Sequence, residues 1–137
     1  MRITKFTDFA LRALMRAASD TGRTFTTEEI ATELGISRNH LTKAIRDLAR
    51  SDIVVTQRGS GGGFRLARPP ETISIGEIVR SLEARYPLVE CFRIDGGACV
   101  LTPSCRLKSR LAAAREAFYN ELDQTSLKQC AQPALSL

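Results

Sequence analysis

Apolar residues recur every three or four positions over most of this 137-residue chain, which is the spacing of amphipathic helices. The pattern predicts helices over about residues 4–19, 26–48 (interrupted at Gly35), 75–84 and 104–123. The last helix carries one apolar seam, made of Leu107, Leu111, Ala114, Phe118 and Leu122. Because a long helix at the end of a small domain often pairs with a copy of itself, we expect a homodimer.

The stretch 26–48 has the spacing of a helix-turn-helix. Ala31 is small enough to let two helices approach, Gly35 supports the turn between them, and Leu41 fills the angle. Ser37 is placed to cap the second helix. The spacing therefore predicts a DNA-binding motif whose second helix enters the major groove.

The polar side chains of that second helix suit DNA. Arginine can bind guanine and asparagine can bind adenine through paired hydrogen bonds, whereas lysine and threonine can hold phosphates. A solvated helix face is the alternative, but these residues lie on the helix that such a motif places in the groove. The candidate DNA-binding residues are Ser37, Arg38, Asn39, His40, Thr42, Lys43 and Arg46.

β-forming residues at 53–56 and 64–66 flank a glycine-rich turn, which predicts a β-hairpin. The turn lacks the spacing of a P-loop, so a nucleotide site is not indicated. A hairpin directly after a helix-turn-helix is typical of a wing, whose cations lie on the DNA backbone or in the minor groove. The candidates in the wing are Arg58, Ser60, Gly61 and Arg65, with Arg68 beside them.

The net charge of +5 is concentrated in the first half of the chain. Residues 1–70 contain 12 Lys/Arg and 7 Asp/Glu, whereas residues 71–137 contain eight of each. A basic half beside a neutral half indicates a polyanionic partner. No apolar run is long enough to span a membrane, and the N-terminus lacks the apolar core of a signal peptide. We therefore expect a cytoplasmic protein, in which clustered cysteines indicate metal or redox chemistry.

Three of the four cysteines, Cys91, Cys99 and Cys105, share a turn-rich segment with the spacing C-x7-C-x5-C. Structural zinc sites use closer pairs of ligands, whereas iron–sulfur clusters accept wider spacing because the ligands bind different irons. A thiol switch needs only two cysteines and leaves the third unexplained. The pattern favours an iron–sulfur cluster over these two alternatives.

Three cysteines are one ligand short of the usual four. Cys130 has suitable chemistry but lies beyond the long helix. Asp8 could take part if the dimer brings the first helix of one protomer to the loop of the other. Taken alone, however, its position indicates only favourable electrostatics at a helix N-terminus. The spacing does not choose between these two residues.

The predicted fold is mainly α with a small β-hairpin wing: a winged helix-turn-helix plus a long C-terminal dimerisation helix. Its parts are a DNA-binding domain (1–85), a cysteine loop for cluster binding (86–105), and the dimerisation helix with a C-terminal tail (106–137). We expect the tail from residue 124 onward to be poorly ordered. An electron-transfer or radical enzyme is the rival class, but it would leave the helix-turn-helix and wing unexplained. We therefore expect no enzyme.

Four stretches of sequence resemble the winged-helix iron–sulfur repressors of bacteria, most closely their NsrR-type, nitric-oxide-sensing branch. They are MRITKFTDFALRAL, SRNHLTKAI, RGSGGGFRLARP and the three-cysteine pattern ending in CRLK. The resemblance covers residues 1 to about 127. It implies a homodimer on a palindromic operator in double-stranded DNA, with an iron–sulfur cluster (4Fe-4S or 2Fe-2S) in each protomer.

The resemblance also implies a role for each ligand residue. Cys91, Cys99 and Cys105 would hold the cluster, and Asp8 of the partner subunit would complete it. Cys130 matches no ligand position. In proteins similar to this one, nitric oxide nitrosylates the cluster and relieves repression.

Sister branches of the family provide the alternatives. The cluster-assembly branch has a histidine shortly after its last cysteine, whereas here Lys108 is nearby and no histidine follows Cys105. The iron-responsive branch shares the cysteine pattern and the start of the loop at Glu90. An iron-responsive or redox-responsive repressor is thus the alternative within the family, and a zinc- or thiol-dependent regulator is the alternative outside it.

Overall fold

The computed structural model describes residues 1–59 and 63–135. Its helices are α1 (Lys5–Ala18), α2 (Thr27–Leu34), α3 (Arg38–Arg50), α4 (Ile75–Glu83) and α5 (Arg106–Asp123). Its strands are β1 (Val54–Gln57) and β2 (Gly63–Leu66), and single 3-10 turns lie at Pro70–Thr72, Glu90–Phe92, Thr102–Ser104 and Lys128–Cys130. None of the helices described is both long and apolar enough to cross a membrane.

Hydroxyl side chains define the start of each helix in the DNA-binding half. Thr4, Thr26, Ser37 and Ser74 each accept a hydrogen bond from the backbone N–H three residues later, which satisfies one exposed donor of the first turn. Between α2 and α3, Gly35 takes the left-handed conformation with φ 64° and closes α2. These local signals explain why the helix-turn-helix begins and ends where the sequence predicts.

The two strands form the predicted antiparallel hairpin, with Val54 opposite Leu66 and Gln57 opposite Gly63. A third backbone segment joins it, because Phe25 and Phe64 exchange N–H···O bonds of 2.8 and 2.7 Å. Gly63 is required at this crossing, since a Cβ there would lie 2.1 Å from the Phe25 carbonyl oxygen. The winged helix-turn-helix predicted from the sequence is confirmed.

The core lies between α1, α3, α4 and the hairpin. Its largest fully buried side chains include Leu14, Phe25, Leu41, Leu48, Phe64, Ile78 and Leu82. One charged residue is also buried there. Arg16 donates to Glu33 at 2.8 Å, and its guanidinium lies 5.1 Å from the Phe25 ring centroid. This pair joins α1 to α2 inside the domain.

α5 packs on α4 at an unusually close distance. A Cβ at Gly76 would lie 2.0 Å from the Asp123 carboxylate and 2.6 Å from the Tyr119 carbonyl oxygen, so only glycine fits there. Asp123 accepts from the Ser74 hydroxyl at 2.9 Å and pairs with Arg80 at 3.2 Å. Burial against α4 raises the pKa of Tyr119, because desolvation disfavours the charged phenolate. No residue of α5 is fully buried in the single chain.

The expectation of a poorly ordered tail is wrong for residues 124–135. Leu127 is completely buried, and its N–H donates to the Ile73 carbonyl oxygen at 2.8 Å. Farther along, the Gln132 N–H donates to the Met15 carbonyl oxygen at 2.9 Å. The tail thus returns across the domain and packs against α1, and the partly buried Cys130 lies against the core.

We expect Leu127→Ala to lower the free energy of unfolding by about 2–5 kcal/mol, because it leaves a cavity in a packed site. Denaturant unfolding followed by circular dichroism would measure this. Lys128→Ala, at the exposed neighbouring position, is the control and should change stability by about 0.5 kcal/mol or less. Equal unfolding midpoints for the two variants would show that the tail does not contribute to the core.

Candidate nucleic-acid interface and cysteine loop

The exposed face of α3 carries most of the predicted DNA-binding residues. Ser37 is half-buried, and its hydroxyl accepts from the His40 N–H at 3.3 Å, so this side chain also caps the helix. The Thr42 hydroxyl donates to the Arg38 carbonyl oxygen at 2.9 Å. The side chains that share this exposed face are Arg38, Asn39, His40, Thr42, Lys43 and Arg46.

His40 also connects α3 to α1. Its ring meets the Phe9 ring edge to face, with 5.8 Å between centroids and 81° between planes. The guanidinium of Arg12 lies 5.5 Å from the centroid of the same Phe9 ring. The histidine therefore lies where the recognition helix meets α1.

Arg58 and Arg65 of the hairpin are exposed to solvent, and Arg58 lines the space between the hairpin and α3. Ser60 and Gly61 lie outside the described residues. Arg68 differs from the prediction, because its guanidinium pairs with Glu77 and donates to the Thr72 carbonyl oxygen at 3.0 Å. It ties the hairpin to α4 instead of extending toward a ligand.

The cysteine loop is fixed to α5 at both ends. Cys91 lies in a 3-10 turn next to Phe92, and the Arg115 guanidinium on α5 lies 4.6 Å from that aromatic ring. Cys105 is the N-cap residue of α5. The thiols of Cys91, Cys99 and Cys105 are half-buried and form no disulfide.

Hydrogen bonds within the loop shape the turn between Cys91 and Cys99. The Gly97 N–H donates to Asp95 at 2.9 Å, and the Ala98 N–H donates to the Glu90 carboxylate at 3.1 Å. Gly97 has φ 66°, and a Cβ there would lie 2.6 Å from the Glu90 carbonyl oxygen. The glycine is needed both for its conformation and for the close approach.

The single chain does not assemble a complete ligand set. Within residues 1–59 and 63–135, no three side chains of His, Cys, Asp or Glu come close enough together to hold a metal ion. Asp8 lies on α1 with 46% of its side chain exposed and forms a two-pronged ion pair with Arg12, at 2.7 and 3.0 Å. Among the described residues, the structure therefore assembles neither Cys91, Cys99 and Cys105 into a metal-binding group nor Asp8 with them.

Two polar features at the start of α5 lack partners. The N-cap Cys105 makes no side-chain hydrogen bond to the first turn of the helix. One turn earlier, the Thr102 hydroxyl is buried without a hydrogen-bond partner in the described chain. Buried polar atoms are rarely left unsatisfied in a folded protein. One feature is the last cysteine of the loop itself, and the other lies three residues before it.

A basic cleft between α1 and α3 was not predicted from the sequence. We call it the α1–α3 cleft. It has a volume of about 400 Å³, and its charged lining consists of Lys5, Lys43, Arg46, Asp47, Arg50 and Arg85. Arg85 donates to Asp47 at 2.5 Å, and Arg50 lies 3.5 Å from the same carboxylate. Because these residues come from α1, α3 and the end of α4, no local sequence pattern identifies them as a group.

Known proteins resemble this chain over nearly its full length. The Rrf2 family model, described as an iron-dependent transcriptional regulator, matches residues 3–133. The HTH-type transcriptional regulator NsrR of Geobacillus kaustophilus is 41% identical over 138 residues, covering 100% of this chain and 94% of the relative. NsrR of Bacillus licheniformis is 40% identical over 129 residues, covering 93% and 90%.

Solved structures share the fold. IscR of T. potens superimposes with a TM-score of 0.70 at 23% identity, covering 94% of this chain and 85% of that chain. CymR, the global cysteine regulator of B. subtilis, also gives a TM-score of 0.70, at 25% identity and 96% coverage of both chains. The family match and the two relatives at 41% and 40% identity show that the chain belongs to the Rrf2 family of transcriptional regulators.

Proposed function

We propose that this DNA-binding transcriptional repressor acts in the cytoplasm as a homodimer on a palindromic operator, and that an iron–sulfur cluster controls its operator affinity. Cys91, Cys99 and Cys105 would hold the cluster, with Asp8 of the partner protomer as the further ligand. The proposed signal is nitric oxide. The NsrR relatives support this proposal, and the cysteine loop is the observation that carries it.

The residue types of the loop fit such a cluster, although the thiols would have to move together to bind it. Three half-buried thiols on one short loop, with no disulfide between them, match the thiolate donors that clusters require. The buried Thr102 hydroxyl provides an unused hydrogen-bond donor for a sulfur atom of a bound group. The uncapped first turn of α5 adds N–H groups and the positive end of the helix dipole beside Cys105, which favours an anionic group there.

The surroundings of the loop support a dimer that covers it. Ile94 and Val100 are almost fully exposed, and Leu101 and Leu107 are 64% and 61% exposed. Exposed apolar side chains grouped on one surface typically mark an interface. Within the predicted seam of α5, Leu107 and Ala114 are exposed and available to a second α5, whereas Phe118 and Leu122 pack against the core of their own chain. The same dimer would bring Asp8 of one protomer to the loop of the other.

Ligation by Asp8 would compete with its ion pair to Arg12. Both side chains are about half exposed, and such pairs contribute only about 0.3–0.5 kcal/mol on a helix surface. Asp8 can therefore leave Arg12 at little cost. When bound, an iron–sulfur cluster supplies irons that react with nitric oxide. Loss of the bond between Asp8 and the cluster would then detach α1 from the partner subunit, and α1 contacts the recognition helix through Phe9 and His40.

Titration of anaerobically purified protein with nitric oxide tests the proposal. Absorbance and binding to a palindromic duplex selected by this protein from a random pool would be followed on the same sample. We expect a coloured protein whose affinity for the duplex falls in step with the loss of the cluster absorbance. As a control, Cys130→Ser should respond like the native protein.

Other outcomes of this titration would contradict the proposal. Release of DNA on iron chelation but not on nitric oxide would favour the iron-responsive alternative, which the description of the family as iron-dependent also raises. A colourless, zinc-containing protein would exclude the cluster.

We expect Asp8→Ala to make the cluster more labile without unfolding the protein, since it removes one ligand and only an exposed ion pair. The rate of bleaching by an iron chelator should rise, while the thermal midpoint stays nearly constant. Asp20→Ala, at an exposed acid just after α1, is the matched control. If Asp8→Ala bleaches no faster than Asp20→Ala, then Asp8 is not a ligand.

Two substitutions on α3 should separate base reading from phosphate binding. Asn39→Ala should relax the base preference at one operator position by about 1–3 kcal/mol, because a bidentate contact to a base is lost. Lys43→Ala should weaken binding to all duplexes alike and reduce its salt dependence. Asn120→Ala and Lys128→Ala, at exposed positions remote from α3 in sequence, are the controls. Selection from random duplexes and salt titrations would measure both effects, and unchanged base preference in Asn39→Ala would exclude base reading by Asn39.

A further inference from the structure

The α1–α3 cleft carries a strong excess of positive charge. Five basic side chains line it, whereas Asp47 is the one carboxylate among the described residues that form its wall. Arg85 and Arg50 remain 58% and 72% exposed although both approach Asp47. Because a guanidinium has five N–H donors, each arginine keeps donors that face solvent. The cleft can therefore bind an anion without losing its internal ion pairs.

Asp47 acts as a positioning residue in this cleft. Only 13% of its side chain is exposed, and it lies on α3 between Arg50 of the same helix and Arg85 at the end of α4. Short charge-assisted contacts of this kind restrict the orientation of a guanidinium. The arginine at the end of α4 is thus held against the recognition helix instead of moving freely in solvent.

The far wall of the cleft is fixed as well. The Thr4 N–H and hydroxyl donate to Glu83 at 3.0 and 2.9 Å, which attaches the N-terminus of α1 to the last turn of α4. Lys5 follows as the first residue of α1, and Arg85 lies two residues after Glu83. Three elements therefore meet at one point and present their cations to the same space.

α3 separates this cleft from the wing. Arg38 and Thr42 line the space between α3 and the hairpin, together with Arg58. Lys43 and Arg50 line the α1–α3 cleft on the neighbouring side of the helix, and Arg46 lies between the two spaces and lines both. Cations consequently border the exposed face of the recognition helix on both sides.

A helix in the major groove lies between two phosphate backbones, because the groove is only about 12 Å wide. The wing is positioned to contact the backbone on its own side. We propose that the α1–α3 cleft binds phosphates of the other backbone, with Lys5 and Arg85 as phosphate-binding residues. The two contacts together would set the depth and the register of α3 in the groove.

This proposal rests on DNA binding by α3 but not on the cluster or on nitric oxide. Its test therefore includes a duplex of random sequence, so that failure of the cleft and failure of the sensing mechanism give different results. A small anion such as free phosphate has the same chemistry as a DNA phosphate. The position of the cleft beside α3 favours a DNA phosphate, and a competition experiment with inorganic phosphate distinguishes the two ligands.

The experiment measures affinity against salt concentration for the full-length protein, on the selected palindromic duplex and on the random one. We expect Arg85→Ala and Lys5→Ala each to reduce the slope of log K against log salt by about 0.9 per protomer, as loss of one phosphate contact does. The loss of affinity should be the same on both duplexes, because phosphates carry no sequence information. Arg85→Lys keeps the charge and should retain most of the slope.

Arg110→Ala is the matched control, since it removes one exposed positive charge from α5, which packs on α4 away from the cleft. A slope in Arg85→Ala equal to that in Arg110→Ala would overturn the proposal. Should Arg85→Ala unfold because Asp47 loses one of its two partners, Lys5→Ala remains decisive, since it only shortens an exposed side chain. A loss confined to the selected duplex would instead show base reading and would also overturn it.

The last measurement is the competition of inorganic phosphate with DNA at constant ionic strength. We expect phosphate to compete with DNA no better than chloride does. Saturable competition by phosphate that Arg85→Ala abolishes would identify a small-anion site and would contradict binding of the DNA backbone.

Discussion

The close contact between α4 and α5 at Gly76 is the constraint on which the rest of this structure depends. A side chain at this position would overlap Asp123 and the backbone of Tyr119, so α5 lies directly on α4. Polar side chains of α4 in turn contact two other parts of the DNA-binding half. Glu77 pairs with Arg68 after the hairpin, and Glu83 accepts from Thr4 at the start of α1. A displacement of α5 would therefore reach the wing and α1 through one short helix.

The cysteine loop occupies the position where such a displacement can begin. It connects the end of α4 to the start of α5, and its first turn is held to α5 by Phe92 and Arg115. Arg85, six residues before Cys91, contacts the recognition helix through Asp47. A ligand that orders the loop would act on two helices that are already in contact with each other. Two packed arrangements of these helices would be sufficient for a switch, because packed interfaces change between discrete states.

The sequence was sufficient wherever the signal is local. Ser37 as a cap and Gly35 as a break each act on their immediate neighbours, and the structure has the predicted helix ends at these places. The sequence was insufficient where partners are distant. The burial of Leu127 depends on Ile73, and the α1–α3 cleft depends on the meeting of three elements. The complete set of cluster ligands is even harder to predict from the sequence, since the proposed fourth ligand belongs to a second copy of the chain.

Two ion pairs of α1 differ in how easily their partners can separate, because one pair is exposed and the other is buried. Arg12 and Asp8 are about half exposed, whereas the side chains of Arg16 and Glu33 are 8% and 22% exposed. Removing one partner of a buried pair costs about 3–5 kcal/mol because the other charge is left without compensation, whereas an exposed pair contributes well under 1 kcal/mol. The buried pair of Arg16 and Glu33 therefore fixes α1 to α2. The exposed pair of Arg12 and Asp8 leaves Asp8 available to act as a ligand. Since the helix is held firmly at Arg16, a pull on Asp8 would tilt α1 as a rigid element, and the contact of Phe9 with His40 would transmit that tilt to the recognition helix.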